Sequence, residues 1–114
     1  MSLTEILTRK DADPAEQLKE VAEVVAVARK AYGNEDAEIA APACETTEGR
    51  MKFNHLEPAG QVALLRKQLS LVKAQAVEFA ETTAGASVDK KIEELLATNA
   101  YFAHSGQRTK FAYI

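Results

Sequence analysis

Six apolar residues at alternating spacings of three and four, Val62, Leu65, Leu69, Val72, Ala76 and Phe79, constrain this chain more than any other feature. That spacing holds a stripe on one side of an α-helix, the pattern of helices that pack along their length. Pro58 suits a first helical turn, so the sequence predicts a helix over roughly 57–82. At about 1.5 Å per residue, this rod is about 37 Å long. In a chain of 114 residues it must lie across the rest of the fold or project towards another subunit. Leu64 and Leu71 flank the stripe and widen its apolar face. A 3,4 stripe serves pairing within one chain and pairing between chains alike.

The flanking segments carry their own start and stop signals. Ser2-Leu3-Thr4-Glu5 has the form of a capping box and predicts a short opening helix ending near Lys10. Asp13-Pro14-Ala15-Glu16 starts a second helix, with Asp13 as acceptor for orphan amides and Pro14 in the first turn. Leu18, Val21, Val25, Ala28 and Tyr32 share one face, and Gly33-Asn34 ends the helix, which is expected over 14–32. Pro42 excludes a helix through 34–56. There Ala37–Ala41 and Arg50–Asn54 flank Thr46-Thr47-Glu48-Gly49, which reads as a small β-hairpin, with Met51 and Phe53 on its dry face. Ser87 caps a last helix to about His104, with Val88, Ile92, Leu95, Leu96, Asn99 and Phe102 as its buried face.

Composition removes several classes of protein. At 46% hydrophobic and 27% charged residues, with a mean hydropathy of -0.23, the chain has a globular balance and no run long enough to span a bilayer. Its first residues lack the basic and apolar regions of a signal peptide, and a single cysteine, Cys44, cannot form an internal disulfide. A cytoplasmic setting is expected. The net charge is -3, divided into -5 over residues 1–57 and +2 over 58–114. A protein held to nucleic acid through phosphates carries a positive excess, so such contact is at most secondary here. The asymmetry suits stacking between copies, or different protein partners at the two ends.

Signals for chemistry are sparse. Cys44, His55 and His104 lack metal-ligand spacing, and Cys44 reads most simply as a small buried residue. His104 reads as a helix C-terminal residue meeting the dipole. The glycines are isolated, and Glu93-Glu94 and Glu35-Asp36 are adjacent carboxylates that point to different sides of a helix. Arg66, Lys67, Lys73, Lys90 and Lys91 read as solvated positions. No catalytic residue, metal or cofactor is expected. The segment 107–114 differs from the rest: Arg108 and Lys110 alternate with Thr109 and Phe111 before Ala112, Tyr113 and Ile114. Phe111, Tyr113 and Ile114 are expected to enter an apolar site on a partner, with Arg108 and Lys110 at its rim.

From Ala15 to Leu71 the order is helix, Tyr32-Gly33 stop, hairpin with Glu48-Gly49-Arg50 at its turn, Met51-Lys52-Phe53 strand, and a helix with Leu64-Leu65 and Leu69. That order resembles the head-tail joining protein W family of tailed bacteriophages. The resemblance covers about half of the chain, and it implies a ring-forming virion protein between portal and tail, with a C-terminal segment docking on a neighbour. The opening helix, the longer second helix and the helix at 87–104 depart from the family.

The expected fold class is α+β, mostly helical: three to four helices with a small β-hairpin between the two main antiparallel helices. One domain is expected over 1–106, with 107–114 as a docking segment. The expected function is that of a non-enzymatic, oligomer-forming structural or adaptor protein, its partners being itself and another protein such as a portal or tail component. The alternative is a small regulatory module that sequesters a partner through its acidic first half, using Glu20, Glu23, Glu35 and Asp36. A third reading, an enzyme or metal protein, would use Cys44 and the two histidines.

Overall fold

The computed structural model describes residues 2–106, a mostly helical α+β fold. Its elements are α1 (Leu3–Thr8), α2 (Pro14–Ala31), β1 (Ala43–Thr46), β2 (Gly49–Lys52), a single 3-10 turn (Phe53–His55), α3 (Pro58–Thr82), α4 (Val88–Thr98) and α5 (Ala100–Ala103). The helix starts follow their signals. The Ser2 hydroxyl accepts the Glu5 amide at 3.2 Å, the Asp13 carboxylate accepts that of Ala15 at 3.4 Å, and the Ser87 hydroxyl accepts that of Lys90 at 3.3 Å.

The stripe on α3 turns inward along most of its length. Val62, Leu65, Leu69, Val72 and Ala76 are buried, whereas Phe79 is 37% exposed and carries the Lys91 ammonium 4.3 Å above its ring. At Phe79 the stripe meets the long side chain of Lys91 from α4 and not an apolar one, so the ring stays partly exposed. Leu71 is likewise exposed and does not widen the buried face, while Leu64 packs against it. Helix α3 touches α1, α2, α4 and α5, and α4 packs on α2 as well. The core is therefore a three-helix arrangement of α2, α3 and α4 closed by α1 and α5, in place of the expected pair. One cluster of buried apolar side chains runs from Leu3 to Phe102.

Three local expectations need correction. The predicted helix over 87–104 is two helices, because Asn99 adopts an extended conformation and its side-chain oxygen accepts the Tyr101 and Phe102 amides at 2.9 and 3.2 Å. Asparagine offers the backbone this alternative to a continuous helix, and the break lets Phe102 and Ala103 turn into the core. Tyr32 stands 41% exposed at the end of α2, not on its buried face, with its hydroxyl donated to the Lys90 carbonyl at 3.1 Å. The first hairpin strand lies at Ala43–Thr46 and not at 37–41. A loop of two residues, Thr47 and Glu48, sets Thr46 opposite Gly49, so the partners of β2 run back only to Ala43.

The displaced segment is held as a loop by side chains from elsewhere. The Arg29 guanidinium donates to the carbonyls of Asn34 and Ala37 at 2.9 and 2.8 Å, and Lys52 donates to that of Ala41 at 3.4 Å. Ring nitrogen Nε2 of His104 donates to the Ile39 carbonyl. The hairpin itself stands away from the helices instead of covering one end: every residue of β2 is exposed, Met51 included. Only Cys44 and, just past β2, Phe53 reach the core. Two buried glutamines complete the packing. Gln17 donates to the Ile6 carbonyl at 2.8 Å, and with Arg66, which donates to the Leu7 carbonyl, it satisfies the orphan carbonyls at the end of α1.

Candidate functional site

Helix α2 presents a second face, beside its buried one, that is unusually small. Ala15, Ala22 and Ala26 recur along it, interrupted by Lys19 and Glu23. With Leu18 and these alanines on its α2 side and Lys19 and Glu23 at its edge, this face borders a groove of about 710 Å³ between α2 and the start of α3. Glu57 and Pro58 form the opposite wall, and Gln61 and Gly106 close the side.

Gly106, the last described residue, lies against this groove. Its position is tightly set. The Gly106 amide donates to the Gln61 side-chain oxygen at 3.1 Å, while the Gln61 amide group donates to the Leu56 carbonyl at 3.0 Å. Gln61 is fully buried, and both of its bonds are partly shielded from water. Gly106 has φ of +72°, and a Cβ there would stand 3.2 Å from the Leu18 carbonyl oxygen. Only glycine combines that dihedral with so close an approach to the α2 backbone.

The residues expected to bind a partner, Arg108, Lys110, Phe111, Tyr113 and Ile114, lie outside the described residues. The structure fixes where the segment carrying them begins. Nothing in the sequence pointed to the groove, because alanines read as helix formers and not as a surface. The available signal was the i, i+7, i+11 recurrence of Ala15, Ala22 and Ala26 on the face of α2 beside its large apolar residues.

The other candidate residues are occupied with the fold. Among the described residues, no group of three or more His, Cys, Asp or Glu side chains is placed to hold a metal ion. Cys44 is buried, as expected of a small apolar residue, and desolvation pushes its thiol up from the ordinary value of 9.0. His104 tethers the 37–41 loop through Nε2, and its Nδ1 is buried without a partner. Of the basic residues, Arg66 caps α1, and Lys91 lies between the Phe79 ring and the Glu94 carboxylate, 3.5 Å away. Of the acidic residues in the alternative reading, Glu20 is paired with Arg9 at 2.9 Å, while Glu23 stands on the groove. No helix among the described residues is long and apolar enough to cross a membrane.

The buried thiol has a measurable consequence. Its raised pKa favours the neutral form in the folded state, so this contribution to stability is full below the ordinary value and is lost as pH rises through the folded one. Native protein should therefore alkylate at Cys44 far more slowly than urea-unfolded protein at pH 8. Cys44→Ala should lose less stability than the parent chain between pH 8 and 10. Equal alkylation rates in both states would contradict the burial.

No protein-family model matches the chain, and neither a curated protein nor a solved structure is significantly similar to it.

Proposed function

We propose that this chain is a non-enzymatic, oligomer-forming structural or adaptor protein, acting in the cytoplasm or in a particle assembled there. The observation that carries the reading is the largely alanine-lined groove beside Gly106. Immediately beyond Gly106 the sequence supplies two cations, Arg108 and Lys110, and then three large apolar side chains, Phe111, Tyr113 and Ile114. Apolar anchors with a charged rim are what a protein–protein contact requires. The non-enzymatic part is supported by what the reactive side chains do: Cys44 is packed in the core and His104 holds a loop.

The most concrete form is the phage head-tail connector implied by the resemblance, with itself and a portal or tail component as partners and nucleic-acid contact as secondary. The observed order of α2, hairpin and α3 is compatible with that form. Light scattering on the full chain and on a chain ending at Gly106 tests the reading. A discrete oligomer that falls to a monomer on truncation is expected. A monomer in both cases overturns self-assembly.

A further inference from the structure

We propose that the exposed face of α3 pairs antiparallel with the same face of a second copy, about a two-fold axis at Ala74, an inference that rests on the self-assembly reading above. Opposite its buried stripe, the helix carries another. Ala63, Lys67, Ser70, Ala74, Val77 and Glu81 recur at alternating spacings of four and three, and all six are exposed. Two large apolar side chains lie open to water here: Val77 is 46% exposed, and Leu71, at the edge of the stripe, is 49% exposed.

Charge sets the direction and the register. Lys67 lies seven residues before Ala74 and Glu81 seven after it, about 10.5 Å along the helix either way. A two-fold axis at Ala74 therefore brings the Lys67 ammonium of each copy level with the Glu81 carboxylate of the other, twice over. Neither side chain forms an ion pair among the described residues. Leu71 and Val77 lie three residues before and after Ala74, so the same axis sets Leu71 of each copy level with Val77 of the other. At the centre Ala74 meets itself, and side chains this small let two helices approach closely. A parallel pair would instead set Lys67 beside Lys67 and Glu81 beside Glu81, like charges that repel. One helix pair of this kind is smaller than a stable interface needs, so it adds an isologous contact between copies that the assembly already holds near each other.

Disulfide trapping in the full chain tests this, with Cys44→Ala as background. Ala74→Cys puts a thiol on the two-fold axis, whereas Ala63→Cys puts one on the same face about 33 Å from its two-fold mate. Both positions are exposed, so neither variant disturbs the core. Mild oxidation should give the Ala74→Cys dimer in about tenfold greater yield than the Ala63→Cys dimer, as held proximity raises effective concentration. Equal yields overturn the inference, whether both are high, as a parallel pair would give, or both low. Adding Lys67→Glu to Ala74→Cys should cut the yield about fivefold, and adding Glu81→Lys as well should restore it, a rescue that a change in folding does not give. Absence of rescue overturns the inference too. Light scattering on the unoxidised parent separates the two claims: an oligomer with equal Ala74→Cys and Ala63→Cys yields overturns the α3 pair and leaves self-assembly standing. A monomer that still gives the specific Ala74→Cys dimer supports the pair as a weak contact and overturns self-assembly.

Discussion

Phe53→Ala should destabilise the protein by about 3–5 kcal/mol, the range for deleting a buried phenylalanine in a packed core. Phe53 is fully buried in the 3-10 turn that follows the hairpin, and its ring meets that of Tyr101 edge-on at 5.2 Å. Its amide also donates to the Pro42 carbonyl at 2.8 Å, so the backbone is anchored on both sides and has little freedom to collapse into the space left by the ring. Domains of this size have total stabilities of about 5–15 kcal/mol, so the change removes a large share. Met51, two positions earlier, is the natural control. It is 39% exposed, and Met51→Ala should shift the urea midpoint by less than about 0.5 kcal/mol equivalent. Comparable losses for the two variants would mean that the hairpin packs on the core and the burial difference is wrong.

Gln61→Leu has the second-largest expected effect. The substitution nearly conserves volume but leaves the Leu56 carbonyl and the Gly106 amide without their partner. Unsatisfied groups of this kind cost about 1–3 kcal/mol each, and both sites are partly buried, so a loss of about 2–4 kcal/mol is expected in urea denaturation. Gln75→Leu, at an exposed position on the same helix, should be nearly neutral. The functional consequence is separate from the stability loss. Gln61 holds Gly106, from which the segment 107–114 continues in sequence, so Gln61→Leu should weaken assembly even at temperatures where the variant remains fully folded. Unchanged assembly by light scattering would detach the Gln61 clamp from the function proposed for the segment it positions.

The contrast between Phe53 and Met51 also shows how far a sequence pattern reaches. Alternation placed both on one face of a strand. The strand ends at Lys52, the backbone winds into a 3-10 turn, and only Phe53 enters the core. Period-2 alternation holds only while the chain stays extended, and no residue type between Met51 and Phe53 announces the change. The stripe on α3 fails in a related way at Phe79, where the 3,4 spacing continues but the side chain that meets it is the charged Lys91.

By itself the sequence determined the secondary structure wherever the cause is local. Caps at Ser2, Asp13 and Ser87, prolines at 14 and 58 and the Gly33 stop set the helices, because each acts on backbone groups within a turn of itself. It also determined which faces of α2 and α3 are buried from Leu18 to Ala28 and from Val62 to Ala76, because helical periodicity is a local property. Tertiary structure decided the rest. The position of β1 followed from hairpin register. The break at Asn99 followed from what Phe102 could reach. The groove arose because an alanine face of α2 came to lie beside the start of α3 and Gly106, segments far apart along the chain. The alanine recurrence on α2 can be read in the sequence, but it becomes a groove only when folding places walls beside it.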